Sequence, residues 1–329
     1  MILTKTPYRI ALSGGGTDLD FYYKKKSGCL YTLAIDQYVY VHLSLRVLDD
    51  NYFIQTSDAY FVKNLKDIRH NLIRETLKYY NIKEKVHVGT YSTVPTQTGL
   101  GSSSAAVIGL INCIKKFKNL KISEKQIIKD AYKIEREICG NHGGWQDQTI
   151  SQIGGLVKLN VSKEAKISYK KLKITNKMKS LVSNHLLLIY TKQKRDSAKV
   201  ISSQKKNKNI ISIYDSIKSL NTDLINALKK KQVKKLADIF NVHWELKKKI
   251  SKIISNNNIN SFYKKLILKH NCEGGKLIGA GGGGFFLMVV KNKRKFLDSL
   301  SNSKISYIEL NIDFKGSRVI DTTMRNFKK

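Results

Sequence analysis

The segment Pro95-Thr96-Gln97-Thr98-Gly99-Leu100-Gly101-Ser102-Ser103-Ser104-Ala105-Ala106 constrains the fold more than any other stretch of this chain. An alternating run, residues 85–93, leads into it and reads as a strand. Apolar residues at 107, 108, 110, 111, 114 and 117 lead out of it with a helical period. The element is therefore strand, tight loop, helix. Bare glycines let the backbone turn sharply and approach a ligand. The serines sit at the helix start, where unpaired N–H groups and the macrodipole favour an anion. Hydroxyls, amides and a positive dipole end together describe a phosphate cradle. An ordinary serine N-cap is the alternative, and it accounts for one serine but not for the loop. The chain's only other proline opens a second glycine-rich segment, Pro7 to Asp18, and a third, Gly279 to Gly284, lies late in the chain.

Around these loops, residues 1–12 and 29–47 read as strands and 67–80 as a helix. Ser123 with Gln126 starts another helix as a capping box, with Gly140 as its stop. Strands follow at 156–161, 167–174 and 185–191, then a lysine-rich helical region over 196–269. The third glycine loop feeds a strand at 285–290, a helix near 293–300 and a strand near 305–312. Strands and helices without regular βαβ alternation predict an α+β fold. At 329 residues two domains are expected, 1–155 and 156–329, with the crossover after Gly154-Gly155.

The formal net charge of +35 favours a nucleic-acid binder at first sight. The surplus is nearly all lysine, however: nine of the 60 basic residues are arginine, the residue that reads bases and phosphates bidentately. The lysines are spread along the chain, in runs such as 24–26, 229–231 and 247–249, which read as solvated faces. No specific nucleic-acid partner is expected. No apolar run reaches the length of a membrane span, and the N-terminus does not resemble a signal peptide. Four scattered cysteines without C-x-x-C spacing suit free thiols in a reducing cytoplasm and argue against zinc.

Several phosphate-loop families fail on the residues. The central loop lacks a Gly-Lys-Ser/Thr ending, Gly99-x-Gly101 lacks the third glycine of the dinucleotide fingerprint, and no H-R-D or D-F-G set exists. In order and spacing, the Pro7–Asp18 segment, the Pro95–Ala106 loop and the stretch from Lys276 to Phe285 resemble the GHMP kinases, the family named for galactokinase, homoserine kinase, mevalonate kinase and phosphomevalonate kinase. The resemblance implies a two-domain fold with the active site in the cleft between the domains. It implies ATP and Mg²⁺ as cofactors and a sugar or sugar phosphate as substrate.

Carried over motif by motif, the resemblance assigns Pro95, Gly99, Leu100, Gly101, Ser102, Ser103, Ser104 and Ala105 to the ATP phosphates. Ser103 and Glu135 become Mg²⁺ ligands, whereas Glu137 projects from another helical face. A plain surface carboxylate is the alternative for Glu135, and a helix cap for Asp147. In Gly143-Gly144-Trp145-Gln146-Asp147-Gln148, Asp147 matches the group that takes the proton of the attacking hydroxyl or orients it. Arg9 matches a cation beside the transferring phosphoryl group. Gly15, Gly16, Thr17, Asp18, Gly144, Gly281 and Gly282 match acceptor contacts. The pattern Thr191…Arg195…Ser197 is similar to the branch that phosphorylates O1 of D-glycero-D-manno-heptose 7-phosphate for nucleotide-heptose and surface polysaccharide synthesis. There Arg195 or Lys194 would grip the acceptor's phosphate, although a solvated charge run is the alternative. Lys192 stands where glycine is expected. A fucokinase-like sugar 1-kinase and a non-catalytic sugar sensor stay open as rivals, as does a homodimer.

Overall fold

The computed structural model describes residues 1–194, 196–301 and 303–322. The order of elements is β1 (Ile2–Ser13), α1 (Asp20–Tyr23), β2 (Gly28–Leu45), β3 (Tyr52–Gln55), β4 (Ala59–Val62), α2 (Asn71–Tyr79), β5 (Val86–Ser92), α3 (Ser102–Phe117) and α4 (Glu124–Tyr132). A π-helical turn, Lys133–Ile138, extends α4. Then come α5 (Gln146–Ile153), β6 (Leu156–Val161), β7 (Ile167–Leu172), α6 (Asn176–His185), β8 (Leu186–Tyr190), α7 (Ser197–Gln204), α8 (Ile210–Lys230), α9 (Val233–Ile250) and α10 (Asn257–Lys269). The chain closes with β9 (Cys272–Leu277), β10 (Phe285–Val290), α11 (Lys293–Leu300), β11 (Tyr307–Glu309) and β12 (Arg318–Thr322).

Two sheets carry the architecture. The larger has the order β12-β1-β2-β5-β3-β4, with β6 and β7 continuing from the other stretch of the long strand β2. The smaller is antiparallel, in the order β11-β8-β10-β9. Apart from the parallel β3–β5 pair, every pairing among the described residues is antiparallel, which matches the expected α+β class. A division at 155/156 would cut this first sheet, because β6 and β7 pair within it. The crossover that the pairing supports lies after Leu172, and β12 returns at the end to pair with β1.

Helix α3 lies against the first sheet: the Thr4 hydroxyl donates to the Gly109 carbonyl at 3.1 Å. One apolar cluster joins Leu12 and Ile35 of the first sheet to Leu186, Leu188 and Leu287 of the second and Phe240 of α9. Each such side chain, fully buried, contributes about 1.5–3 kcal/mol before chain entropy is counted. The lobes are thus packed on one another, and the open space between them is a cleft bounded by the loops after β1, β5 and β9. The lysine runs 24–26 and 229–231 are exposed as expected, but Lys247 of the third run is buried. Among the described residues no helix is long and apolar enough to cross a membrane.

Candidate active site

Arg9, on β1, is 5% exposed and anchors the cleft. Its Nε donates to Asp147 Oδ1 at 2.7 Å and its Nη2 to Asp147 Oδ2 at 2.8 Å, a bidentate fork. Its Nη1 donates to the Gly99 carbonyl at 2.5 Å, and its backbone N–H to the Leu100 carbonyl at 3.1 Å. One side chain therefore couples the acidic group at the start of α5 to the glycine loop before α3. Gly101 completes the contact. Its φ of 87° is left-handed, and a Cβ there would lie 3.3 Å from Asp147 Oδ2.

Helix α3 starts without the side-chain cap that several other helices of the chain have. Ser123, Thr175, Asp196, Asn256 and Asn292 each cap a helix by accepting an amide with the side chain. The N-cap of α3 is Gly101, which offers no side-chain acceptor. The serines point to Glu135 instead: Ser103 Oγ donates to Oε1 at 2.6 Å and Ser104 Oγ to Oε2 at 2.5 Å. The N-cap alternative for these serines is thereby removed. The first-turn amides are left to an anion, which the helix dipole favours.

Glu135 sits on the π-helical turn and is fully buried, so it is not a surface carboxylate. Besides the two serines it accepts from Gln148 Nε2 at 2.7 Å, and Arg136 Nη1 lies 3.3 Å from Oε1. Glu137 is exposed on another side of the turn. Among the described residues no group of three or more His, Cys, Asp and Glu could hold a metal ion. A hydroxyl beside a carboxylate is nonetheless a hard oxygen pair, the donor type that Mg²⁺ takes before waters and phosphate oxygens fill its octahedron.

On the acceptor side, Asp18 is buried and accepts the Gln146 N–H at 2.9 Å. Burial is the main influence on its carboxyl and pushes its pKa up; the Gln146 amide opposes this, and neighbouring Asp147 adds to it. Gly144 has to be glycine, because a Cβ there would fall 2.2 Å from Asp18 Oδ2. Gly15 and Gly16 line the same cleft, and Gly16 packs against the Tyr214 ring.

Not every expected residue joins. Gly99, Gly101, Ser102 and Ser103 line the cleft, whereas Leu100, Ser104 and Ala105 are buried and Pro95 is exposed at the loop's entry. Thr17 is fully buried, and its hydroxyl donates to the Gly14 and Cys29 carbonyls, so it holds a turn and does not line the cleft. Gly279 and Ala280 reach the cleft where Gly281 and Gly282 were expected; Gly282 donates its N–H to the Ile254 carbonyl instead. Arg195 lies outside the described residues. Lys192 adopts the left-handed φ of 57° that its glycine-like position demanded. Arg136, Gln148, Tyr214, His243, Lys247 and Lys276 are members of the site that the sequence reading did not single out.

An aspartate aimed by a buried arginine beside an uncapped helix start suits transfer of a phosphoryl group to a hydroxyl. The molecule is a phosphotransferase with an alcohol acceptor, and the comparisons with known proteins say of which kind. Residues 65–155 match the model of the GHMP kinases N terminal domain. The chain is 32% identical over 312 residues to the D-glycero-alpha-D-manno-heptose 7-phosphate kinase of Campylobacter jejuni, covering 90% of this chain and 91% of that one. Its fold matches the crystal structure of a D-glycero-D-manno-heptose 1-phosphate kinase from Bacteroides thetaiotaomicron with a TM-score of 0.81 at 22% identity, over 98% of this chain and 100% of that one. Streptococcus pneumoniae phosphomevalonate kinase, solved with phosphomevalonate and AMPPNP, matches with a TM-score of 0.77 at 17% identity, over 95% of this chain and 100% of that one. The chain belongs to the GHMP kinase family.

Proposed function

We propose that this kinase transfers the γ-phosphoryl group of ATP to O1 of D-glycero-D-manno-heptose 7-phosphate. The observation that carries the transfer is the Arg9 fork, which joins Asp147 to the Gly99 carbonyl of the phosphate-binding loop. The acceptor rests on the Campylobacter jejuni relative, matched along nine-tenths of both chains. An ATP supply and four unpaired cysteines fit a cytoplasmic enzyme.

In this reading the loop amides of Gly99 to Ser103 hold the triphosphate at the start of α3. Ser103 and Glu135 hold Mg²⁺, which when bound neutralises charge on the phosphate oxygens. Asp18 accepts a hydrogen bond from a sugar hydroxyl, and Asp147 accepts one from the attacking hydroxyl. That hydroxyl oxygen bonds to the γ-phosphorus as the bond to the β,γ-bridging oxygen breaks; the proton passes to Asp147, and ADP leaves. The Arg9 guanidinium fixes the Asp147 carboxylate and meets the charge growing on the phosphoryl oxygens.

The direct test is a coupled ADP-release screen of hexoses, heptoses and their phosphates with Mg²⁺ and ATP. Turnover is expected to be highest with D-glycero-D-manno-heptose 7-phosphate. Preference for an unphosphorylated sugar would overturn the acceptor, and no turnover with any of them would overturn the kinase reading in favour of a sensor.

Asp18 supplies a second expectation. Its native pKa is raised, so the folded state holds the proton more tightly than the unfolded chain. Stability then falls as pH rises from the ordinary carboxylate range through the raised native value. Asp18→Asn keeps an oxygen for the Gln146 amide without burying a charge. It is expected to raise Tm at neutral pH and to lose most of that gain at acid pH. Acceptor KM should rise at least about tenfold, the value of a hydrogen bond to a charged group. A lower Tm at neutral pH, or an unchanged KM, would count against the assignment.

A further inference from the structure

Three basic groups stand on the second-lobe wall of the cleft, and the transfer chemistry above uses none of them. His243 and Lys247 lie one turn apart on α9, and Lys276 is on β9; all three are buried and line the cleft. Lys276 Nζ donates to the Leu12 carbonyl at 2.6 Å and to His243 Nδ1 at 3.0 Å. An ammonium that donates to Nδ1 leaves the ring proton on Nε2. Lys247 Nζ donates to the Leu277 carbonyl at 2.8 Å and also to the Gly279 carbonyl. Backbone carbonyls orient both ammonium groups, and a carbonyl does not neutralise the charge of Lys276. Among the described residues no carboxylate forms an ion pair with Lys276.

We propose that Lys247, Lys276 and His243 form the subsite for the phosphate that the acceptor already carries. Burying two ammonium groups side by side is unfavourable, because each loses hydration and each repels the other. In keeping with this, burial and then Lys247 push the Lys276 pKa down, and burial and then both lysines push His243 down. A dianionic phosphate reverses both penalties at once. The spacing suits a sugar phosphate. Leu12, which Lys276 contacts, is three residues beyond Arg9 on β1, about 10 Å along an extended strand. A sugar lying between puts its reacting hydroxyl at Asp147 and its phosphate at the lysines. Lys194, the earlier choice for this role, borders a different recess, with Gln97, Ser103 and Arg136 beside the nucleotide loop.

The phosphate-subsite assignment rests on the sugar-phosphate reading of the function, and the experiment separates the two. Inorganic phosphate is titrated calorimetrically into the protein with Mg²⁺ and a saturating non-hydrolysable ATP analogue, so that the nucleotide loop is already filled. The unchanged protein is expected to bind phosphate, Lys247→Gln to bind it at least about tenfold more weakly, and the surface control Lys229→Gln to match the unchanged protein. In kinetics, Lys247→Gln should raise KM for D-glycero-D-manno-heptose 7-phosphate at least about tenfold while KM for ATP stays within roughly threefold. Equal phosphate affinity in Lys247→Gln, or parallel rises in both KM values, overturns the subsite. If the unchanged protein binds phosphate through Lys247 yet does not turn over the heptose phosphate, the acceptor falls and the subsite stands. Should Lys247→Gln fail to fold, His243→Gln gives the same reading: weaker phosphate binding supports the subsite, and unchanged binding overturns it.

Discussion

Asp147→Asn is expected to lower kcat by about 10²–10⁴-fold, the span of a lost general base, while the Kd for ATP shifts by no more than roughly threefold. The substitution keeps size and one acceptor oxygen. It places an NH₂ against an arginine N–H that the second carboxylate oxygen now accepts, so the fork of Arg9 is half lost. Arg9 is nearly buried and Asp147 is partly solvated, so some stability should go too. The kinetic effect must therefore be read at a temperature where unfolding measurements show the variant folded. Size of effect separates the two roles of Asp147. Phosphoryl transfer passes through a loose transition state with little bonding to the attacking oxygen, so catalysis is mostly positioning and charge stabilisation. Proton acceptance is called for only by a loss larger than misorientation accounts for. A loss near tenfold would leave Asp147 as an orienting group, a loss of 10³-fold or more would make it the proton acceptor, and full activity would remove it from the mechanism.

The site was legible in the sequence where chemistry and backbone constraint coincide. Ser102 begins α3 as its period predicted, and Lys192 takes a left-handed φ because the loop after β8 needs one whatever residue stands there. Asp147 and Arg9, 138 residues apart, were matched through motifs, and the structure joins them directly. Legibility failed where function depends on convergence of distant segments. Lys247 looked like one of three solvated lysines in a row, since nothing local shows which member of a run faces inward. Only the packing of α9 on β9 decides that it is buried. Strand β9 has no counterpart in the sequence reading for a related reason: Gly274 and Gly275 sit in a strand because Asn241 and Met288 press against positions with no room for a side chain. Gly154-Gly155 marks a turn between elements of one sheet, which the sequence does not show. Pairing of β6 with β2 spans more than a hundred residues and leaves no local trace.

Glu135→Gln is expected to abolish most activity at little cost to the fold, and the pairing around it explains why these separate. The carboxylate accepts from Ser103 on one oxygen and from Ser104 and Gln148 on the other. A glutamine keeps one oxygen and turns a donor toward part of this set. Gln148 can absorb the change, because its buried Oε1 has no hydrogen-bond partner in the present arrangement. Rotating the Gln148 amide lets that oxygen accept from the new NH₂. Tm should therefore stay within a few degrees of the unchanged protein. Glu135→Ala, in contrast, strands two hydroxyls, an amide and Arg136, and should cost about 3–5 kcal/mol in denaturant unfolding. Function follows charge rather than shape. A neutral amide is a poor ligand for a hard dication, so Glu135→Gln should need roughly tenfold or more Mg²⁺ for half-maximal rate, with a lower ceiling. If Glu135 only braces the serine loop, the reverse pattern holds: the glutamine variant keeps its Mg²⁺ dependence, and loss of activity tracks loss of Tm across both substitutions. Measuring Tm and the Mg²⁺ titration on the same two variants distinguishes a metal ligand from a structural brace.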